Sequence, residues 1–156
     1  MIAILHNIRS LHNVGSIFRT ADAAGIEKIY LCGITPAPID RFGKPISQLK
    51  KVSLGAEEYV EWEKISKIEK VIQKLKKEKY KIFAVEQSEN STLYYKLQAN
   101  SYKLKNIALI LGNEVKGLPP EILKKADKIL EIPMRGKKES LNVAVAFGII
   151  VYGMFY

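Results

Sequence analysis

The chain has one cysteine, Cys32, and two histidines, His6 and His12, in 156 residues. A lone cysteine excludes an intrachain disulfide and any cysteine metal cluster. Two histidines beside it leave a structural zinc site short of ligands, and no metal is expected. Cys32 closes the apolar run Ile29-Tyr30-Leu31-Cys32 and reads as a small buried hydrophobe. The N-terminus lacks the basic start and long apolar core of a signal peptide. The longest apolar stretch, Val143 to Phe155, falls short of the roughly 20 residues that span a bilayer. The expected setting is the cytoplasm, with no membrane partner. Phosphate-cradling glycine loops are missing too. The first apolar run is followed by His6-Asn7-Ile8-Arg9-Ser10 rather than GxGxxG, and no GxxxxGK[ST] occurs. A Rossmann-type nucleotide site and a P-loop are both disfavoured.

What is abundant is lysine. The formal net charge is +9, which points to a polyanionic partner, because lysine and arginine neutralise phosphates and release counterions. Much of that charge has a plainer explanation. From Lys64 to Lys81, Ile65, Ile68, Val71, Ile72 and Leu75 recur at helical spacing, and Lys70, Lys74, Lys76 and Lys77 fill the outer face. Those lysines are read as solvated.

The hydrophobic fraction of 47% suits a folded chain, and the length suits one domain over 1–156. Strands are expected at Ile2–Leu5, Lys28–Cys32, Ile82–Glu86, Ile107–Leu111 and Ile129–Ile132, with a short one near Tyr59-Val60. Helices are expected at Val14–Ala24, Ile65–Glu78, Pro120–Lys125 and Leu141–Phe155. Gly25 is a suitable stop for the first helix, and Pro119-Pro120 a suitable start for the third. The alternation predicts an α/β fold with a mostly parallel sheet flanked by helices. Ligands of such sheets bind beyond the carboxyl ends of the strands. Gly112-Asn113-Glu114 and Pro133-Met134-Arg135-Gly136 each follow a strand and are placed at such a site.

Three segments carry the chemistry. In Asn13-Val14-Gly15-Ser16-Ile17-Phe18-Arg19-Thr20, Asn13 is a plausible N-cap, and the helix start offers free amides to an anion. Arg19 adds a planar fork of donors. An alternative is a capped amphipathic helix with one exposed arginine. The second segment is Ile107-Ala108-Leu109-Ile110-Leu111-Gly112-Asn113-Glu114-Val115-Lys116-Gly117-Leu118. The third is Ile132-Pro133-Met134-Arg135-Gly136, followed by Ser140-Leu141-Asn142-Val143-Ala144-Val145-Ala146. Together they resemble the signature motifs of the SPOUT superfamily, specifically its TrmH-like (SpoU) branch of RNA 2′-O-ribose methyltransferases. Gly33-Ile34-Thr35-Pro36 and Lys51-Val52-Ser53-Leu54-Gly55-Ala56-Glu57 extend the likeness. The chain departs from it at Ala144, where many relatives carry serine, and at Val115, where many carry a small residue.

The resemblance implies a C-terminal trefoil knot, with loops from about Leu111 to Gly136 and the final helix threaded through them. It implies S-adenosylmethionine as methyl donor, tRNA or rRNA as substrate, and a homodimer. Cofactor contacts are expected from Leu111, Gly112, Asn113, Ile132, Met134, Gly136 and Leu141, with Gly112 and Gly136 admitting close backbone approach. Arg19 is the expected catalytic residue. A guanidinium stays protonated in proteins, so it is better suited to stabilise a developing alkoxide or clamp a phosphate than to act as a base. Asn13 and Asn142 are expected to orient the arginine or the ribose, and Glu114 to pair with Arg19. Ser140 matches the pattern, though it also fits a helix N-cap. Arg9, Arg41 and Lys44, in loops near these segments, are expected RNA contacts. The last helix is apolar on nearly every face, which fits either full burial in the core or a subunit interface. Methylation of an RNA base, or a non-catalytic RNA-binding or ribosome-assembly module, are the competing readings.

Overall fold

A computed structural model describes residues 1–97 and 106–155. Seven parallel strands form one sheet: β1 (Ile2–His6), β2 (Lys28–Cys32), β3 (Glu61–Ile65), β4 (Lys81–Val85), β5 (Thr92–Leu93), β6 (Ile107–Leu111) and β7 (Lys128–Glu131). Their order is β3-β2-β1-β6-β4-β7-β5. The central strands are near-continuous apolar runs, as strands covered on both faces must be. Alternation still sorts their side chains. Ala3, Leu5, Leu109 and Leu111 join one core, while Ile2, Ile4, Ala108 and Ile110 join the other.

Helices cover both faces. On the first lie α1 (Leu11–Ala23), α2 (Ser47–Ser53) and α5 (Val143–Phe155), contributing Val14, Phe18, Leu49, Phe147 and Ile150. On the second lie α3 (Ile68–Lys77) and the single turn α4 (Pro120–Leu123), contributing Val71, Leu75 and Ile122. The lysines of α3 face outward as expected. Burial pushes the Cys32 thiol up to about 12, which fits a small hydrophobe rather than a reactive thiol.

Some boundaries differ from the sequence reading, each for a local reason. α1 starts at Leu11 rather than Val14, because Ser10 is the cap and its Oγ accepts from the Asn13 amide at 3.2 Å. Asn13 is therefore inside the helix. α1 stops where expected, with Gly25 and Ile26 amides returning to Asp22 and Ala21 carbonyls. α3 begins three residues late, because Ile65 closes β3 instead. That strand was placed too early, near Tyr59-Val60. It is an edge strand whose Glu61 and Glu63 bind Lys28 at 2.7 and 3.0 Å, so it carries charge rather than an apolar pattern. α2 went unassigned. It docks on α1 at Gly15, where a Cβ would sit 2.9 Å from the Leu49 carbonyl oxygen. Gly15 thus serves helix packing.

The apolar faces of α5 divide between the core and solvent. Phe147, Ile150, Val151 and Met154 are in the core, while Val145 is 51% exposed. Among the described residues no helix is long and apolar enough to cross a membrane.

Candidate active site

Because every strand pair is parallel, β1, β4, β6 and β7 end on one rim of the sheet. The loops leaving that rim bring the three signature segments together. A single carboxylate binds them. Glu114, three residues beyond β6, accepts hydrogen bonds from the Arg9 amide at 3.0 Å and the Ser10 amide at 2.9 Å. It also accepts one from the Asn13 side-chain amide at 3.1 Å. The Asn13 side-chain oxygen in turn accepts from Asn142 Nδ2 at 2.9 Å. Asn142 Oδ1 accepts from the Ala144 amide at 2.9 Å, so Asn142 rather than Ser140 caps α5. A relay Asn142–Asn13–Glu114 therefore joins all three segments.

Desolvation opposes the charge on Glu114, but the Arg9 and Ser10 amides and the Asn13 side chain outweigh it and lower its pKa. The anion expected at the start of α1 is thus supplied by the chain itself. This corrects the expected Glu114–Arg19 pair: within one chain Glu114 is engaged elsewhere. The Arg19 side chain is exposed and makes no ion pair among the described residues.

Asn113 makes a second tie. Its Nδ2 donates to the Asn7 carbonyl at 2.8 Å, and its Oδ1 accepts from the Val115 and Lys116 amides. The loop then folds back, and the Gly117 amide donates to the Asn113 carbonyl at 2.9 Å. This explains Gly112 differently from the expectation. A Cβ there would lie 2.6 Å from the Gly117 carbonyl carbon and 2.8 Å from Leu118 Cγ. The space it spares is occupied by the returning loop.

A cavity of about 370 Å³ opens at the ends of β4, β6 and β7. Of the expected cofactor residues, Leu111, Gly112, Asn113, Ile132, Met134 and Leu141 line it, together with Glu114 and Ser140. Gly136 does not line it and faces open space. Asn13, Asn142 and Arg19 lie outside its wall. Sequence reading missed Val85, which ends β4, and Glu86 and Gln87, which follow it on the same rim. The available signal was the strand end itself. Glu86 has a defined job: its carboxylate accepts from the Leu118 amide at 3.0 Å and holds the returning loop. Gln87 Nε2 donates to the Glu139 carbonyl at 2.7 Å, tying in the segment before α5.

A second, shallower groove of about 490 Å³ runs between α1 and α5. It is lined by His12, Asn13, Ser16, Thr20, Asn142 and Val145, among others. Arg9, Arg41 and Lys44 are all exposed; Arg9 contributes its backbone amide to the Glu114 clamp. Among the described residues no three His, Cys, Asp or Glu side chains converge where a metal could sit.

The clamp has a pH signature. Its folded pKa is lowered, so its stabilisation is full above the unfolded glutamate value of about 4.3 and lost as pH falls through the folded value. Glu114→Gln is expected to lose about 1–2 kcal/mol at neutral pH. Urea unfolding should show that gap narrowing below roughly pH 4. A gap independent of pH would contradict the charged clamp.

Known proteins resemble this chain over nearly its whole length. The model of the SpoU rRNA methylase family matches residues 1–152. A Staphylococcus aureus protein placed in the TrmH family of tRNA/rRNA methyltransferases is 31% identical over 99% of this chain, which spans 58% of that relative's length. The tRNA (guanosine(18)-2′-O)-methyltransferase of Aquifex aeolicus is 33% identical over 97% of this chain and 67% of its own. The structure of an AdoMet-bound rRNA methyltransferase from Sinorhizobium meliloti superposes with a TM-score of 0.80 at 28% identity, covering 98% of this chain and 54% of that one. The chain belongs to the SpoU rRNA methylase family.

Proposed function

We propose that the chain transfers a methyl group from S-adenosylmethionine to a ribose 2′-hydroxyl of tRNA or rRNA. The observation that carries this reading is the coincidence of one cavity with six of the seven cofactor positions read from the motifs. The cavity fits the ligand in kind. Its volume lies in the usual range of roughly 300–1,000 Å³ for small-molecule sites. Leu111, Ile132, Met134 and Leu141 offer apolar walls for a purine, and Glu86 and Glu131 bring carboxylates to a cationic ligand. When bound there, S-adenosylmethionine supplies a methyl carbon on a positively charged sulfur, and no metal is needed.

The chain's own residues do the rest. The Asn142–Asn13–Glu114 relay fixes the start of α1 against the loop after β6. Arg19 lies two turns further along α1, with its guanidinium unengaged. In this reading it receives the phosphate beside the reactive ribose and stabilises the developing 2′-oxyanion, while the hydroxyl proton passes to solvent. Arg19 stands outside the cavity wall, which supports a site completed by a second copy of the chain. The groove between α1 and α5, with Val145 half-exposed on it, is the surface that would be covered. The trefoil knot, with α5 passing through the loops after β6, and a single catalytic domain over 1–156 belong to the same proposal.

Arg19→Ala is expected to lower methyl transfer by more than about 100-fold, with S-adenosylmethionine affinity by calorimetry unchanged. Nuclease digestion and mass spectrometry of the RNA should place the methyl on ribose. A methylated base, or near-normal turnover by the variant, would remove this mechanism. The interface is tested at Val145, since Ile150 is fully buried and a charge there would unfold the monomer. Val145→Glu should sediment as a folded, inactive monomer. A fully active monomer would defeat the shared-site reading.

A further inference from the structure

The loop between β2 and α2 carries a feature that the cavity and the relay do not use. Phe42 is 72% exposed, with its ring outside either core. An exposed phenylalanine on a floppy loop would bury itself or be lost in motion. This one is held out. The Asp40 Oδ1 accepts from the Phe42 amide at 2.8 Å and the Lys44 amide at 2.9 Å. The Asp40 amide donates to the Lys44 carbonyl at 2.8 Å, and Ile39 bridges Pro45 at the base. Gly43 takes a φ of +77° to close the turn. The Asp40 carboxylate is thus spent on backbone amides and is not paired with the neighbouring cations. The Arg41 guanidinium lies 4.7 Å from the Phe42 ring centroid, and neither Arg41 nor Lys44 has a carboxylate partner among the described residues. The loop leaves the carboxyl end of β2, which pairs with β1 through to His6↔Cys32, so it rises from the same rim as the candidate active site.

We propose that the loop Ile39–Pro45 is a stacking platform for an unpaired nucleotide of the RNA, with the base on Phe42 and the flanking phosphates on Arg41 and Lys44. The chemistry is that of single-strand recognition. Every base has a π-face, so a presented aromatic ring binds without reading sequence, and adjacent cations follow the backbone. A guanidinium stacked beside the ring extends the flat, weakly hydrated surface. A base-paired duplex cannot offer a free face to such a tip, so the site favours a loop, bulge or strand end. This proposal rests on the reading of the chain as an RNA-modifying enzyme, but it concerns binding and is measured without catalysis.

The test is a titration of wild-type protein and Phe42→Ala with a short single-stranded RNA carrying 2-aminopurine, and with the same RNA as a duplex, over a range of salt. Wild-type should quench the probe and prefer the single strand. Phe42→Ala should bind it roughly 5- to 100-fold more weakly, while the slope of log affinity against log salt is unchanged. Phe42→Trp should restore affinity, and Lys44→Ala should instead lower the salt slope by about one. Single-strand affinity equal to wild-type in Phe42→Ala would overturn the platform. So would a changed sedimentation coefficient with unchanged RNA affinity, since the ring would then be a protein contact. S-adenosylmethionine calorimetry on the same samples separates the two readings. A retained cofactor site with no effect of Phe42 sinks only the platform. Wild-type protein that binds neither cofactor nor RNA sinks both.

Discussion

Glu114 is the group on which the site depends. A carboxylate drawn partly out of water must be met by donors, and here the donors are two backbone amides and one side-chain amide from the start of α1. Helix starts leave amides unpaired, so the need is mutual. The result is a non-covalent bond between segments 101 to 105 residues apart in sequence. Asn13 passes the constraint on to Asn142, and Asn142 sets where α5 begins. Three loops that would otherwise move separately therefore share one geometry.

This arrangement divides the labour on the rim. The loops after β4, β6 and β7 enclose a cavity, and their glycines and carboxylates are engaged mainly in holding the loops. Gly112 makes room for Gly117, and Glu86 holds the Leu118 amide. The Arg19 side chain has no ion-pair partner among the described residues. An arginine with no internal partner, in a chain of net charge +9, is available to a phosphate. The cavity and the exposed cationic donor are thus separate parts, as the proposed site shared between two copies of the chain requires.

Much of this was legible in the sequence. The apolar runs gave β2, β6 and, within a residue, β1, β4 and β7, because strands buried on both faces have few polar interruptions. The motifs located the cavity wall except at Gly136. What escaped was set by tertiary contacts. Nothing in Ser47–Ser53 advertises a helix, whose place depends on the missing side chain of Gly15. β3 hides behind its edge-strand charges. Asn13 reads locally as a cap, and only the fold reveals that Ser10 takes that role and frees Asn13 for Glu114. The expected Glu114–Arg19 pair does not form within one chain for the same reason: opposite charges are matched by type, while backbone amides, invisible to such matching, claim the carboxylate. Val85, Glu86 and Gln87 were missed because the rim position of β4 was not used.

The central claim is that Asn142, Asn13 and Glu114 act as one unit. A double-mutant cycle of Asn142→Ala and Glu114→Ala, read by urea unfolding, tests it most directly, because these two side chains meet only through Asn13. The account predicts a coupling well above the roughly 0.3–0.5 kcal/mol scatter of independent sites, and its disappearance in an Asn13→Ala background. Additive losses in both backgrounds would contradict it.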